Sequence, residues 1–209
     1  MGKIFNGILG GFSGKVGPVV GAAWKGIQYM RAYVIPANPN SDAQIVQRGK
    51  MAACVAMGRK LLATLLNIYW DPFVSGMSGF NKFISLNLST LDGSLHLVAT
   101  SKLAVGTLEG VSAITGTYAT GDGETIVTWD QTITGNGALT DSVGLVVYDA
   151  VADNFQVFTP VTTRDDETIT VTATTGLTAT AVICYLFFYR GTSETFVVSD
   201  SVGDVCAAP

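Results

Sequence analysis

The sequence predicts a two-part α+β fold, a glycine-rich arm and a helical hairpin followed by an all-β immunoglobulin-like sandwich. Three observations carry that prediction. Glycine recurs at Gly2, Gly7, Gly10, Gly11, Gly14, Gly17, Gly21 and Gly26 among apolar residues. Apolar residues then return at three-, four- and seven-residue spacing from Ile45 to Tyr69. From Leu95 onward the period changes to two, in segments rich in β-branched and aromatic side chains. These changes divide the chain into residues 1–40, 41–94 and 95–209.

In the first segment the glycine density argues against a stable helix, and the intervening Ile, Val, Phe, Trp and Tyr argue against a solvated linker. An extended arm that packs on something remains, with short strands expected at residues 16–20 and 27–34 and an end at Pro36, Pro39 and Asn40. Ser41-Asp42-Ala43-Gln44 has the S-x-x-Q spacing of a capping box, which satisfies orphaned amides at a helix start. The helix it opens is expected to reach Tyr69, with Ile45, Ala52, Val55, Leu62, Leu66 and Tyr69 as its apolar stripe. Gly49 and Gly58 within that run imply a kink or a close helix contact. A second helix near residues 78–88 carries Phe80, Phe83, Ile84 and Asn87 on one side, so the two form an antiparallel hairpin.

Strands are expected at residues 102–108, 125–129, 143–149, 155–158, 168–173, 181–189 and 195–198. Turns punctuate them at Gly121-Asp122-Gly123, Gly135-Asn136-Gly137, Arg164-Asp165-Asp166 and Gly191-Thr192-Ser193. Seven strands in this length match the rhythm of an immunoglobulin-like sandwich, though Trp129 and Cys184 lack the second cysteine of antibody domains. A fragment from Ser101 to the C-terminus is therefore expected to fold alone.

Charge is divided as sharply as structure. Residues 1–102 hold ten Lys and Arg against three Asp, a balance of +7, while residues 103–209 hold only Arg164 and Arg190 against thirteen acids, a balance of −11. The halves together give the net charge of −4. Only 13% of residues are charged and 48% are hydrophobic, where soluble domains average about 25% charged, so covered surface and self-association are expected. Lys3, Lys15, Lys25, Arg59 and Lys60 interrupt the apolar runs, and neither membrane insertion nor a secretory signal is expected. Cys54, Cys184 and Cys206 are too few and scattered for a disulfide scaffold or zinc cluster and read as reduced thiols.

Tests for chemistry return little. Gly10 to Lys15 misses the spacing of a phosphate-binding loop, and Val16 stands where such a loop needs Ser or Thr. His96, the single histidine, reads as packed or hydrogen-bonded rather than catalytic. The acids Asp165, Asp166 and Glu167, like Asp122 and Glu124, read as solubilising turns rather than calcium ligands. No catalytic, cofactor-binding or metal-binding residue is assigned, and the chain is not expected to be an enzyme. Trp24, Lys25, Tyr29 and Arg31 interleave aromatics with cations, but the cations are too sparse for phosphate contacts to dominate, so protein packing is expected over nucleic acid.

The run Ser13-Gly14-Lys15-Val16-Gly17-Pro18-Val19-Val20-Gly21, followed by Trp24-Lys25-Gly26 and Tyr29-x-Arg31, resembles the N-terminal signature S-G-K-x-G-x-V-V-G-x-x-W-K-G-x-x-Y-x-R of an uncharacterised family, a domain of unknown function in bacteria and their phages. Gln47-Arg48-Gly49-Lys50 and Ser78-Gly79-Phe80-Asn81 extend the resemblance. It implies no activity, and its occurrence in phages implies a virion component, made in the host cytoplasm. The function expected is structural, a capsid decoration or tail subunit, with a cell-surface or carbohydrate-binding module as the alternative. The expected partners are further copies of the chain or other virion proteins, through an interface of Phe12, Lys15, Val19, Val20, Trp24, Lys25, Tyr29 and Arg31.

Overall fold

A computed structural model describes residues 3–4, 11–70, 75–119, 123–172, 180–191 and 196–207. The expected features at Gly2, Gly7, Gly10, Gly121, Asp122, Thr192 and Ser193, and the ends of the expected strands at 173 and 195, lie outside the described residues. The fold is α+β and mostly sheet, and the chain divides into two compact units, Met1–Ser41 and Asp42–Pro209.

The first unit is a small antiparallel sheet in the order β1 (Lys3–Ile4), β2 (Phe12–Val16), β3 (Val19–Trp24) and β4 (Ile27–Ala32). The expected arm is thus a set of hairpins. The expected strand at residues 16–20 is split by the turn at Gly17-Pro18, where Gly17 takes a φ of 57°. Proline has no amide to donate to a ladder, so a strand ends there more readily than it continues.

In the second unit α1 (Asp42–Tyr69) is a single 28-residue helix with a π turn at Leu62–Leu66, where the Asn67 N–H donates to Leu62 O. That turn moves the buried face. Cys54, Met57, Gly58 and Leu61 are buried before it and Leu65, Leu66, Tyr69 and Trp70 around and after it, while Ile45 and Ala52 of the expected stripe are exposed. A π turn inserts an extra residue per turn, so a 3.6-residue stripe drawn through it drifts off the core. By length and composition α1 would suffice to cross a bilayer, despite Arg59 and Lys60, but its C-terminal half is taken up by protein core.

Helix α2 (Gly79–Asn87) starts at Ser78, whose hydroxyl accepts from the Asn81 N–H at 3.3 Å. It crosses α1 at Gly58, where an added Cβ would stand 2.9 Å from Phe80 Cε2 and 3.3 Å from Phe83 Cδ1, so glycine permits the close approach. Buried Asn87 is fully used, donating to Phe83 O and Lys102 O and accepting from the Lys102 N–H.

The strands β5 (Ile114–Ala119), β6 (Glu124–Trp129), β7 (Ser142–Asp149), β8 (Asn154–Phe158), β9 (Thr168–Thr172), β10 (Ala181–Arg190), β11 (Val197–Val198) and β12 (Val202–Ala207) form one sheet. Its order is β8-β7-β10-β12-β5-β6-β9, with β11 on β10. An immunoglobulin-like sandwich has two separate sheets. Here β12 pairs antiparallel with β10 and parallel with β5, and so joins both halves on one hydrogen-bonded path. The expected strand at residues 102–108 is reduced to one bridge between Leu108 and Ser199, and β5 and β12 were not foreseen because glycine and acids dilute their alternation.

Two cores lie on opposite faces of β7 and β10. Val146, Tyr148, Tyr185, Phe187 and Tyr189 meet the helices, with Tyr69 edge-on to Phe187 at 5.1 Å and Trp70 donating to Leu103 O at 2.8 Å. Leu145, Val147, Cys184, Leu186 and Phe188 share the other core with Tyr118, Val127, Trp129, Ile169 and Val171 from β5, β6 and β9. Alternation along a strand gives one side chain to each face in turn, which is why β10 is buried almost throughout. The helices therefore do not stand as a separate segment at residues 41–94; they close one face of the sheet. All three cysteines are buried free thiols.

Candidate functional site

The eight interface residues expected from the sequence all fall on the Met1–Ser41 sheet. Lys25 and Gly26 form a two-residue hairpin turn with φ values of 48° and 83°, the doubly positive pattern of a type I′ turn that matches strand twist. Paired residues of antiparallel strands project to the same side. Lys15 pairs with Val20, Val20 with Arg31, Ala22 with Tyr29 and Trp24 with Ile27, so five of the eight, Lys15, Val20, Trp24, Tyr29 and Arg31, share one face. Val19, paired with Val16 and Ala32, belongs to the opposite face. Phe12 also lies there, its ring crossing Gly21 so closely that a Cβ on Gly21 would stand 2.6 Å from it. Lys25 occupies the turn, its Nζ 5.1 Å from the Trp24 ring centroid.

The shared face is amphipathic and open. Trp24 is 64% exposed, Ile27 66% and Tyr29 44%, and these three line a shallow apolar depression. Beside it runs a larger groove of about 690 Å³ between Lys15, Val20, Arg31, Tyr33 and Val34. The Lys15 ammonium sits 3.6 Å from the Tyr33 ring centroid, a cation–π contact that fixes this charge beside the aromatic surface. Val34 and Ile35, exposed at 71% and 77%, continue the apolar surface beyond β4. The arrangement offers apolar contact area in the middle and cations around it.

Lys15 lies inside a strand that runs into a hairpin, not in a loop before a helix, so the phosphate-loop geometry is absent at this lysine. His96 sits in a turn held by Asp92, whose Oδ1 accepts from the Ser94 and His96 amides at 2.8 Å, with the ring Nδ1 3.9 Å from Asp92 Oδ2. Asp166 caps its own turn by accepting from Thr162 Oγ1 and from the Thr163 amide and hydroxyl, which holds its carboxyl below the usual range.

The sequence reading missed one polar centre. Arg164 and Asp141 are fully buried, with Nη2 3.5 Å from Oδ2, and Arg190 Nε donates to the other Asp141 oxygen at 2.5 Å. Arg164 also donates to Glu109 O and lies 3.9 Å over the Phe188 ring. Burial pushes the Arg164 pKa down, and Asp141 and Glu109 oppose that. Glu109 in turn accepts from the amides of Thr134, Gly135 and Gly137 and from the Thr134 hydroxyl, and these bonds lower its pKa to about 2. The centre ties the 134–137 loop and the Arg164–Asp166 turn to the sheet, and its charges are spent on one another. Its signal was available: Arg164 and Arg190 are the only cations after Lys102, and both converge on Asp141.

Residues 11–202 match the model of one family, described as a family of unknown function (DUF6266). No curated protein and no solved structure matches the chain.

Proposed function

The chain belongs to that family of unknown function, and we propose that it is a non-enzymatic assembly protein, a structural subunit of a phage virion that self-associates through its N-terminal sheet. The observation that carries the reading is the open face bearing Trp24, Ile27 and Tyr29. Exposed apolar area costs about 25 cal/mol per Å², and aromatic residues, with arginine, are enriched at interface centres. The Asp42–Pro209 unit, with its eight-stranded sheet, is then the displayed part of the particle. The unit with the open face carries four Lys and Arg and no acid, and the other carries a balance of −8, so the two differ in sign as well as in packing.

Light scattering of the purified chain tests the reading. Association should rise with protein concentration and weaken as salt is raised from low levels to about 0.5 M, because screening lengths fall well below 10 Å. Electron microscopy of the same sample should show rings, filaments or a lattice. A chain that remains single at every concentration and salt would remove the assembly reading.

A further inference from the structure

We infer that the cationic aromatic face of the Met1–Ser41 sheet seats on the acidic end of a second copy's eight-stranded sheet, so that copies join head to tail. The inference rests on the assembly reading above and specifies its partner surface and symmetry.

Charge decides between the two ways of pairing. The described part of the small sheet bears Lys15, Lys25 and Arg31, and the sequence has no Asp or Glu before Asp42. Two such faces laid on each other in a two-fold dimer would set cation against cation, and like charges juxtaposed across an interface cost several kcal/mol by general experience. A complementary surface exists on the other unit. Asp130, Asp165, Asp166 and Glu167 are all exposed, and among the described residues none of them is in an ion pair. Asp130 and Glu167 border a groove of about 430 Å³ whose wall includes Ile114 and Trp129. Asp153, Asp200 and Asp141 are by contrast paired with Lys60, Lys102 and two arginines, while Asp130 and Asp166 accept hydrogen bonds from the threonines of their own turns, Thr132 and Thr162 with Thr163, which leaves their charge unneutralised.

The groove thus has an acidic rim over a wall in which Ile114 and Trp129 are largely buried, and the sheet face has an apolar centre with a cationic rim, so charge is the feature in which the two match. A contact between unlike patches is heterologous, and repetition of it gives a closed ring or an open filament rather than a dimer.

The experiment uses the full chain in two neutralised forms. Trp24→Ala with Arg31→Ala blocks the face, and Asp165→Asn with Glu167→Gln blocks the acidic end; all four positions are exposed, and circular dichroism checks that both variants keep the wild-type fold. By size-exclusion chromatography with light scattering, each variant alone should need at least about tenfold more protein to associate. Mixed in equal amounts they should form pairs that stop at two, because one intact face meets one intact end. Wild-type assembly by the acid-neutralised variant would overturn the head-to-tail contact while leaving self-association standing. The same behaviour from the face-blocked variant would overturn the assigned face. A wild-type chain that never associates would remove both the inference and the reading beneath it.

Discussion

The two units differ in what their side chains touch. In Asp42–Pro209, strands β7 and β10 are buried on both faces, and α1 surrenders its C-terminal half to the core. In the described part of Met1–Ser41, Gly21 alone is fully buried, and β4 is exposed along its whole length. Both contain antiparallel strands that carry apolar residues, so strand content alone does not separate them. What separates them is whether a second layer covers the face, since a lone sheet cannot bury its own apolar side. The larger unit thus buries most of its apolar residues within itself, and the smaller one leaves Trp24, Ile27 and Met30 exposed.

The largest test of that contrast is truncation. The boundary at Ser101 expected from the sequence strips the helices from Tyr148, Tyr185, Phe187 and Tyr189. A fragment beginning at Ser101 should show no cooperative melt and should bind a hydrophobic dye, whereas one beginning at Asp42 should melt cooperatively. Equal cooperativity in both fragments would mean that the helices contribute little to the core.

Next in size is the buried charge centre. Asp141→Ala leaves the fully buried Arg164 without its carboxylate, and removing one member of a buried pair costs about 3–5 kcal/mol. Denaturant unfolding should show a loss on that scale. A loss below about 1 kcal/mol would place the Arg164 charge in contact with water instead.

A smaller effect appears in acid. Glu109 has its folded pKa lowered from 4.5 to about 2 by hydrogen bonds from Thr134, Gly135 and Gly137. A depressed carboxyl stabilises the fold above the unfolded value, and that contribution is lost as pH falls from about 4.5 towards 2. The melting temperature of the wild type should therefore drop through that window, and Glu109→Gln should flatten the drop while starting from a lower value. An unchanged pH profile in the variant would show that other carboxyls govern acid unfolding.

The smallest effect on folding belongs to the smaller unit. Trp24→Ala removes a side chain that is 64% exposed, so the melt of Asp42–Pro209 should move by no more than about 0.5 kcal/mol, while association weakens. A large drop in stability without a change in association would reverse the roles assigned to the two units.

Much of this was legible in the residues. The period change after Leu95 marks the larger sheet, α1 ends at Tyr69 as its spacing predicts, and α2 starts at Ser78. The eight residues expected at an interface fall within one small sheet and its hairpin turn, and their division between two faces depends on the turns at Gly17 and Lys25, which set the register. An extended arm with two short strands is expected because glycine density argues against a helix; the structure folds it into hairpins, with Gly17 and Gly26 in turns and Gly21 at a close approach to Phe12.

By itself, then, the sequence determined both helices, most strands of the larger sheet, the opposed charges of the two halves and the composition of the N-terminal face, because periodicity, propensity and charge are properties of neighbouring residues. Tertiary structure alone decided which side of α1 is buried, that β12 joins β10 to β5, and that Arg164 and Arg190 meet on Asp141. Each of those depends on residues far apart in sequence, brought together by burying apolar surface and by the need to partner every charge left inside.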